Sequence, residues 1–231
     1  MPRPSFCAIP HDPKAYYAQP SEWSLSLARR WVDLVLAVLA LLFVSPALLL
    51  ITLLVRYESP GPAIFRQKRV GRYGVLFTVF KFRTMTTAAH EEGPSLTKRG
   101  DPRVTKVGEF LRRHKLDELP QLLNVLRGEM SLVGPRPKVP HLEVMYMPFR
   151  PGLTGAATLA FRHEEEMLHD IPNDDLESYY SRIIKPLKAK IDWDYMSRAT
   201  LASDFALLYE TARCCSTLRA KSWAVDLSES V

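Results

Sequence analysis

The stretch that decides the architecture is Leu34-Val-Leu-Ala-Val-Leu-Ala-Leu-Leu-Phe-Val-Ser45-Pro46-Ala-Leu-Leu-Leu-Ile-Thr-Leu-Leu-Val55, which carries no charge. As a helix it is about 33 Å long, against roughly 30 Å for the hydrocarbon core of a bilayer. A secretory leader does not fit, because the run is too long, starts too late and precedes no small-residue cleavage site. Ser45-Pro46 sits mid-run. Proline supplies no N–H and crowds the turn before it, so the sequence predicts a kink or break there, with Ser45 among the groups that satisfy the freed carbonyls. Both flanks are basic: Arg29 and Arg30 precede the run, and Arg56, Arg66, Lys68, Arg69 and Arg72 follow it. Positive residues favour the cytoplasmic side, so the expectation is a re-entrant hairpin entering and leaving by one face, with Trp23 and Trp31 at the interface.

Outward from this run, three regions are expected: a poorly ordered Pro-rich and polar segment over 1–22, the membrane segment over 23–56, and one further domain over 57–231. The 231 residues suffice for one domain with a real core, and 47% hydrophobic with 24% charged residues is ordinary globular composition. The net charge of +6 fits any anionic partner: nucleic acid, phosphorylated substrate or lipid. The three cysteines, Cys7, Cys214 and Cys215, have neither disulfide nor zinc spacing, which suits a reducing compartment, and the six histidines show no metal spacing.

In the soluble part, Leu76 to Arg83 reads as a strand. Alternation puts Phe80 and Phe82 on one face, and Lys81 and Arg83 on the other, either as a phosphate clamp or as a solvated face. A helix is expected from Asp117, with an apolar stripe at Leu119, Leu122, Leu123 and Leu126 and a stop at Gly128. Asp117 stands where an N-cap would be, Glu118 complements the dipole, and Pro120 is tolerated in the first turn. The same pair has a chemical reading. Arg103, Lys106, Arg112, Arg113 and Lys115 crowd the region before it, and two carboxylates at a helix start can hold a divalent cation or include a nucleophile. Prolines on both sides of Arg136 stiffen its backbone and pre-organise its guanidinium.

These motifs, in this order, resemble the bacterial sugar transferase family, the monotopic polyprenyl-phosphate phosphoglycosyl transferases of small single-domain type. The match rests on Ser45-Pro46, Gln67-Lys68-Arg69-Val70-Gly71, Lys81-Phe82-Arg83-Thr84-Met85 and Asp101-Pro102-Arg103-Val104-Thr105. It continues through Leu116-Asp117-Glu118-Leu119-Pro120-Gln121-Leu122, Asn124-Val125-Leu126, Gly128 to Pro137 and Pro151-Gly152-Leu153-Thr154-Gly155, covering roughly 23 to 212. The resemblance implies a mostly helical α/β fold with few short strands, amphipathic interfacial helices and one helix-break-helix at Ser45-Pro46. It implies transfer of a sugar 1-phosphate from a UDP-sugar to undecaprenyl phosphate, releasing UMP. Asp117 would be the nucleophile, Glu118 the Mg²⁺ ligand, and Lys81, Arg83, Arg112 and Arg136 the phosphate-binding groups. It places the catalytic domain on the cytoplasmic face of the bacterial inner membrane, starting a glycoconjugate such as exopolysaccharide. It assigns no nucleic-acid partner and leaves a homodimer open.

The chain departs from many members after Gly155, where Ala156 to Glu166 replaces a Gln-Val-Asn-Gly-Arg segment. His163 and Glu164 to Glu166 there read as sugar contacts or as a solvated acidic turn. Asp192-Trp193-Asp194 fits a nucleotide-sugar motif of glycosyltransferases that release UDP, but lacks that fold's context. Trp193, Tyr195 and Ala199 to Leu208 read as packing or interfacial contacts. Two other functions remain open at this level: a UDP-releasing glycosyltransferase, and a non-catalytic membrane-anchored interaction protein.

Overall fold

The computed structural model describes residues 19–86, 101–140, 147–168 and 171–216, without the side chains of 165–166, 173–174 and 215–216. Most of the poorly ordered segment expected over 1–22, Cys7 and the side chains of Glu165, Glu166 and Cys215 lie outside the described residues. Where description begins the chain is already fastened: the Ser21 N–H donates to Met196 O at 3.0 Å and its hydroxyl to Ala199 O at 2.8 Å. Ser21 caps a single helical turn, α1 (Glu22–Leu25), and Ser26 caps the next helix by accepting from the Arg29 N–H.

That next helix, α2 (Leu27–Glu58), is 32 residues long and spans the whole apolar run. At 1.5 Å per residue its length along the helix axis is about 48 Å. It is long and apolar enough to cross a membrane, and only 11% of its most apolar window is buried. The expected interruption at Ser45-Pro46 is not a loss of helix. Pro46 cannot donate to Leu42 O, and the Ser45 hydroxyl does so instead at 3.0 Å, so the helix continues through the proline. One stripe of α2 packs on the rest of the protein. Arg29, Asp33 and Ala37 are buried near its start and Ile51 and Val55 near its end, with Leu36, Ala40, Leu41, Val44 and Leu48 between them. This 3–4 spacing is one helical face. The opposite face exposes Leu39, Leu42, Phe43, Leu49, Leu50, Leu53 and Leu54.

Two antiparallel strands follow, β1 (Ile64–Val70) and β2 (Leu76–Phe82), in register from Ile64↔Phe82 to Val70↔Leu76. The strand expected at Leu76 to Arg83 is therefore present and ends one residue earlier. Tyr73 and Gly74, both at positive φ, make the tight connection. Helix α3 (Lys106–Arg113) packs so closely on the chain after β2 that a Cβ on Gly108 would lie 2.1 Å from Thr84 O.

The region around Asp117 differs from expectation. Leu116–Gln121 forms a 3₁₀ turn entered from Lys115 in the left-handed region (φ 55°), and α4 (Leu122–Arg127) starts only after it. Asp117 is therefore inside the turn and caps nothing. Pro120 lacks an N–H and restricts the residue before it, which favours the tighter turn over a regular α start. The buried face of α4 is also rotated from the expected stripe: Leu122, Asn124 and Val125 are buried while Leu123 is 44% exposed. The helix lies between β2 and α2, and both neighbours set its inward face. Gly128, at φ 82°, ends it as expected. Arg30 donates to Val125 O and Leu126 O, neutralising the same helix end.

Strands β3 (Ser131–Val133) and β4 (Gly152–Thr154) form a short parallel pair. The helices α5 (Ala156–Ala160), α6 (Glu164–Met167), α7 (Asn173–Tyr179), α8 (Lys185–Arg198) and α9 (Leu201–Ser216) complete a mostly helical protein with a few short strands. The main core joins Ala37 of α2 to Phe77, Val79, Leu122, Val125, Met130, Leu132 and Leu207. Asp204 of α9 ties that helix to α1, α2 and α8. It pairs with Arg29 at 2.9 Å and accepts from Trp23 Nε1 at 2.8 Å and from the Tyr195 hydroxyl at 2.6 Å. Trp23 is half-buried and fastened to Asp204 through its indole N–H, whereas Trp31 is 68% exposed.

Candidate active site

The 3₁₀ turn presses its two acids against β2, and both are buried: Asp117 is 9% exposed and Glu118 7%. Glu118 is held by two cations. Lys81 Nζ, from β2, lies 3.1 Å from Oε1. Arg136, from the Pro-flanked loop after β3, reaches Oε2 through Nη1 at 3.0 Å and also donates to Oε1 through Nη2. Burial alone would raise the Glu118 carboxyl, but Arg136 and then Lys81 outweigh it and hold it far below the ordinary carboxylate range. Arg136 is shifted upward in turn by the charge of Glu118.

Asp117 has the opposite fate. Its carboxylate accepts no hydrogen bond and forms no ion pair among the described residues. Burial and then the neighbouring Glu118 charge raise its pKa, against the pull of Lys81, Arg136 and Lys115. Two adjacent acids are therefore differentiated by their surroundings, one locked and ionised, the other unengaged and harder to ionise. Such separation is a recurrent mark of functional carboxylates.

The other expected groups divide. Lys81 and Arg136 converge on the acid pair. Arg83 does not: it is 6% exposed and donates to Val55 O, Ser59 O and Pro60 O at the end of α2. The expected two-cation strand face fails because the two side chains take different partners: the Arg83 N–H still pairs with Ala63 O at 2.8 Å, but its guanidinium is taken by the carbonyls at the end of α2. Arg112 is half-buried on α3, where its charge bears on Asp101, itself paired with Arg103 at 2.7 Å.

Several groups at the site carried no signal of their own in the sequence. Arg69, from β1, is brought down to about 10 by burial and then by the adjacent Arg136 cation, so it shares the Glu118 environment. Alternation along β1 could have placed it on the Lys81 side. Glu164, read as part of a solvated acidic turn or as a sugar contact, is paired with the buried Lys188 at 2.6 Å, and its charge reaches Arg136. Lys188 also lies 5.4 Å from the Phe161 ring and 5.5 Å from the Tyr180 ring. This C-terminal helical contribution is not visible without the tertiary fold. The Asp-x-Asp pair does not converge. Asp192 is buried and accepts from the Ala157 N–H at 3.0 Å, with burial raising it to about 6, while Asp194 is exposed on the same helix.

Among the described residues no three His, Cys, Asp or Glu side chains gather into a metal cage. Two adjacent carboxylates are nevertheless a donor set that fits Mg²⁺, which keeps several waters and takes its other ligands from substrate phosphates. Glu118 would have to share its oxygens between such an ion and its two cations.

A helix long and apolar enough to cross a membrane, lying on a small helical body with a differentiated acid pair under basic side chains, defines the class of domain to which the chain belongs. More narrowly, the chain belongs to the bacterial sugar transferase family, whose model matches residues 24–217. It is 48% identical over 147 residues to the UDP-glucose:undecaprenyl-phosphate glucose-1-phosphate transferase of Caulobacter vibrioides, covering 58% of this chain and 54% of that one. It is 46% identical over 153 residues to the protein of the same name from Escherichia coli K12, covering 62% of this chain and 33% of that one. The chain thus spans about half and one third of the length of these two relatives. It is 36% identical over 207 residues to the exopolysaccharide production protein ExoY of Sinorhizobium fredii, covering 80% of this chain and 84% of that one.

Proposed function

We propose that this chain is a polyprenyl-phosphate phosphoglycosyl transferase that moves a sugar 1-phosphate from a UDP-sugar to undecaprenyl phosphate. One observation carries the reading: of two adjacent buried carboxylates, Glu118 is locked by Lys81 and Arg136 while Asp117 is left unengaged beside the same cations. That is the arrangement a carboxylate nucleophile requires next to an electrostatic clamp. The names of the relatives support the donor and acceptor classes.

In this mechanism an Asp117 oxygen forms a bond to the β-phosphorus of the donor. The bond from that phosphorus to the bridging oxygen breaks, and UMP leaves with the electron pair. An oxygen of the lipid phosphate then attacks the same phosphorus. The acyl phosphate bond breaks, and Asp117 returns to its carboxylate form. Lys81, Arg136 and Arg69 offset phosphate charge in both steps, and the cations beside Asp117 keep a usable fraction of it ionised. Mg²⁺, held by Glu118, would supply further charge neutralisation on the diphosphate.

The reading includes a monotopic topology at the cytoplasmic face of the inner membrane, with α2 entering and leaving by one side. Its support is that Arg29 and Asp33 at one end of α2 and Ile51 and Val55 at the other all rest on the same small body, with Pro46 between them as the point where the helix can bend. A straight crossing would carry those ends to opposite sides of the bilayer. In cells, with Cys7, Cys214 and Cys215 removed, Leu27→Cys and Tyr57→Cys variants should both resist an impermeant maleimide added from outside. Labelling at either one refutes the hairpin.

The reaction is tested by nucleotide release from protein in nanodiscs supplied with UDP-sugars, Mg²⁺ and undecaprenyl phosphate. UMP release that needs the lipid and disappears in Asp117→Asn is the expected result. UDP release would favour a glycosyltransferase, a reading weakened by the divergence of Asp192 and Asp194. Undiminished release from Asp117→Asn would refute the nucleophile.

A further inference from the structure

A cavity of about 780 Å³ opens between the last turns of α2 and the edge of β1 that β2 does not cover. Its walls include Thr52, Arg56, Ala63, Phe65, Arg66 and Arg83. Its volume is within the usual range for small-molecule sites. Three features bear on what it holds.

The charged groups of the wall are all arginines, and among the described residues none of the three forms an ion pair. Arg83 is 6% exposed, its guanidinium meets only the carbonyls of Val55, Ser59 and Pro60, and its Nε is buried without a hydrogen-bond partner. A buried cation that meets dipoles alone keeps its full charge and favours a nearby anion. Arg56 and Arg66 are exposed, so their side chains can close on a ligand at the mouth. The remaining wall is largely apolar, and α2, which supplies Thr52 and Arg56 to it, also exposes Leu49, Leu50, Leu53 and Leu54. The site therefore joins an anion-binding end to the most apolar surface of the protein.

We propose that this cavity seats the phosphate of a membrane lipid, with Arg56 and Arg66 binding the phosphate oxygens, Arg83 fixing the positive floor and the tail lying along α2. Guanidinium forks suit phosphate geometry, and an apolar tail suits the adjoining leucines. The site is separate from the acid pair but adjoins it: Phe65 is the register partner of Lys81, which holds Glu118. Two lipids share this chemistry. One is undecaprenyl phosphate as the acceptor, an arm that rests on the function proposed above. The other is an anionic phospholipid of the surrounding bilayer, an arm that does not.

The test is a native mass-spectrometric titration of the full chain, once with undecaprenyl phosphate and once with phosphatidylglycerol. The variants are Arg56→Gln, Arg66→Gln, their double, and Arg198→Gln on an exposed part of α8 as a charge-matched control. At about 1 kcal/mol per cation, each single variant should weaken binding about fivefold and the double about thirtyfold. The control should stay within about twofold of the wild type, since its charge is remote from the cavity. Loss confined to undecaprenyl phosphate, with an unchanged KM for the UDP-sugar, supports the acceptor as occupant. Loss for phosphatidylglycerol supports the phospholipid. A double variant that binds both lipids like the wild type, or loses no more than the control, overturns the proposal. If the wild type releases no UMP, the proposed function fails, and the phosphatidylglycerol arm still decides the site.

Discussion

Replacing Arg136 with Met tests the electrostatic reading of the site. The substitution removes both guanidinium contacts to Glu118 and leaves that buried carboxylate with Lys81 at 3.1 Å. Removing one partner of a fully buried pair costs about 3–5 kcal/mol. Two facts reduce that figure here: Lys81 still compensates the charge, and the Arg136 side chain is 39% exposed, so solvent screens it. About 1–2 kcal/mol remains, which for a chain of this size lowers the melting temperature by roughly 3–6 °C. The pH dependence carries a sign. Glu118 is depressed in the folded protein, so its contribution is present above its unfolded pKa and is lost as pH falls through the folded value. Without Arg136 the folded value rises toward the unfolded one. The gap between wild type and variant should therefore be full near pH 7.5 and shrink as pH falls below the ordinary glutamate range. Thermal melts in nanodiscs followed by tryptophan fluorescence measure this, and Arg136→Met in a Glu118→Gln background isolates the pair. A gap that is independent of pH, or equally large when Glu118 is Gln, refutes the reasoning.

The acid limb of kcat/KM should lie above the ordinary carboxylate range, because Asp117 must be ionised to attack and burial with Glu118 raises its pKa. Lys81→Met should move that limb further up, since Lys81 pulls Asp117 down; a pH–rate profile in which the limb stays put or falls contradicts the assignment. Asn124→Leu should lower the melting temperature by about 6–12 °C, from a loss of about 3 kcal/mol, because its fully buried amide serves Phe80 N, Thr78 O and Glu129 Oε2. A melt within a degree or two of wild type would mean α4 is not fastened to β2 in this way. Gly108→Ala should destabilise by about 1–3 kcal/mol despite alanine's higher helix propensity, because its methyl meets Thr84 O at 2.1 Å. A raised melting temperature would show that α3 stands further from the strand.

Two basic residues of one motif part company in the folded protein. Lys81 and Arg83 have the same spacing on a strand pattern, and each is needed by a different anionic or dipolar neighbour. Lys81 faces a carboxylate brought up by the 3₁₀ turn, whereas Arg83 faces the carbonyl end of α2. Both partners lie far away in the chain, so periodicity alone could not separate the roles.

Local order was legible where one residue type imposes its own geometry. The apolar run dictated a membrane-length helix, the alternation over Leu76 to Arg83 dictated a strand that ends one residue sooner, Gly128 dictated a helix stop, and Ser45 foreshadowed the hydroxyl that replaces the bond Pro46 cannot make. The acid pair and Arg136 were recognisable as candidates from composition and motif order. What the chain alone did not disclose is which groups meet. The 3₁₀ turn in place of an α start depends on Pro120 together with packing on β2, and it changes Asp117 from a helix cap into an unengaged carboxylate. The diversion of Arg83 to a helix terminus and the arrival of Arg69 and the Glu164–Lys188 pair near Arg136 depend on contacts between segments distant in sequence. Backbone preferences act over a few residues and can be read in order. Burial and charge pairing act across space, and they exist only once the elements have packed.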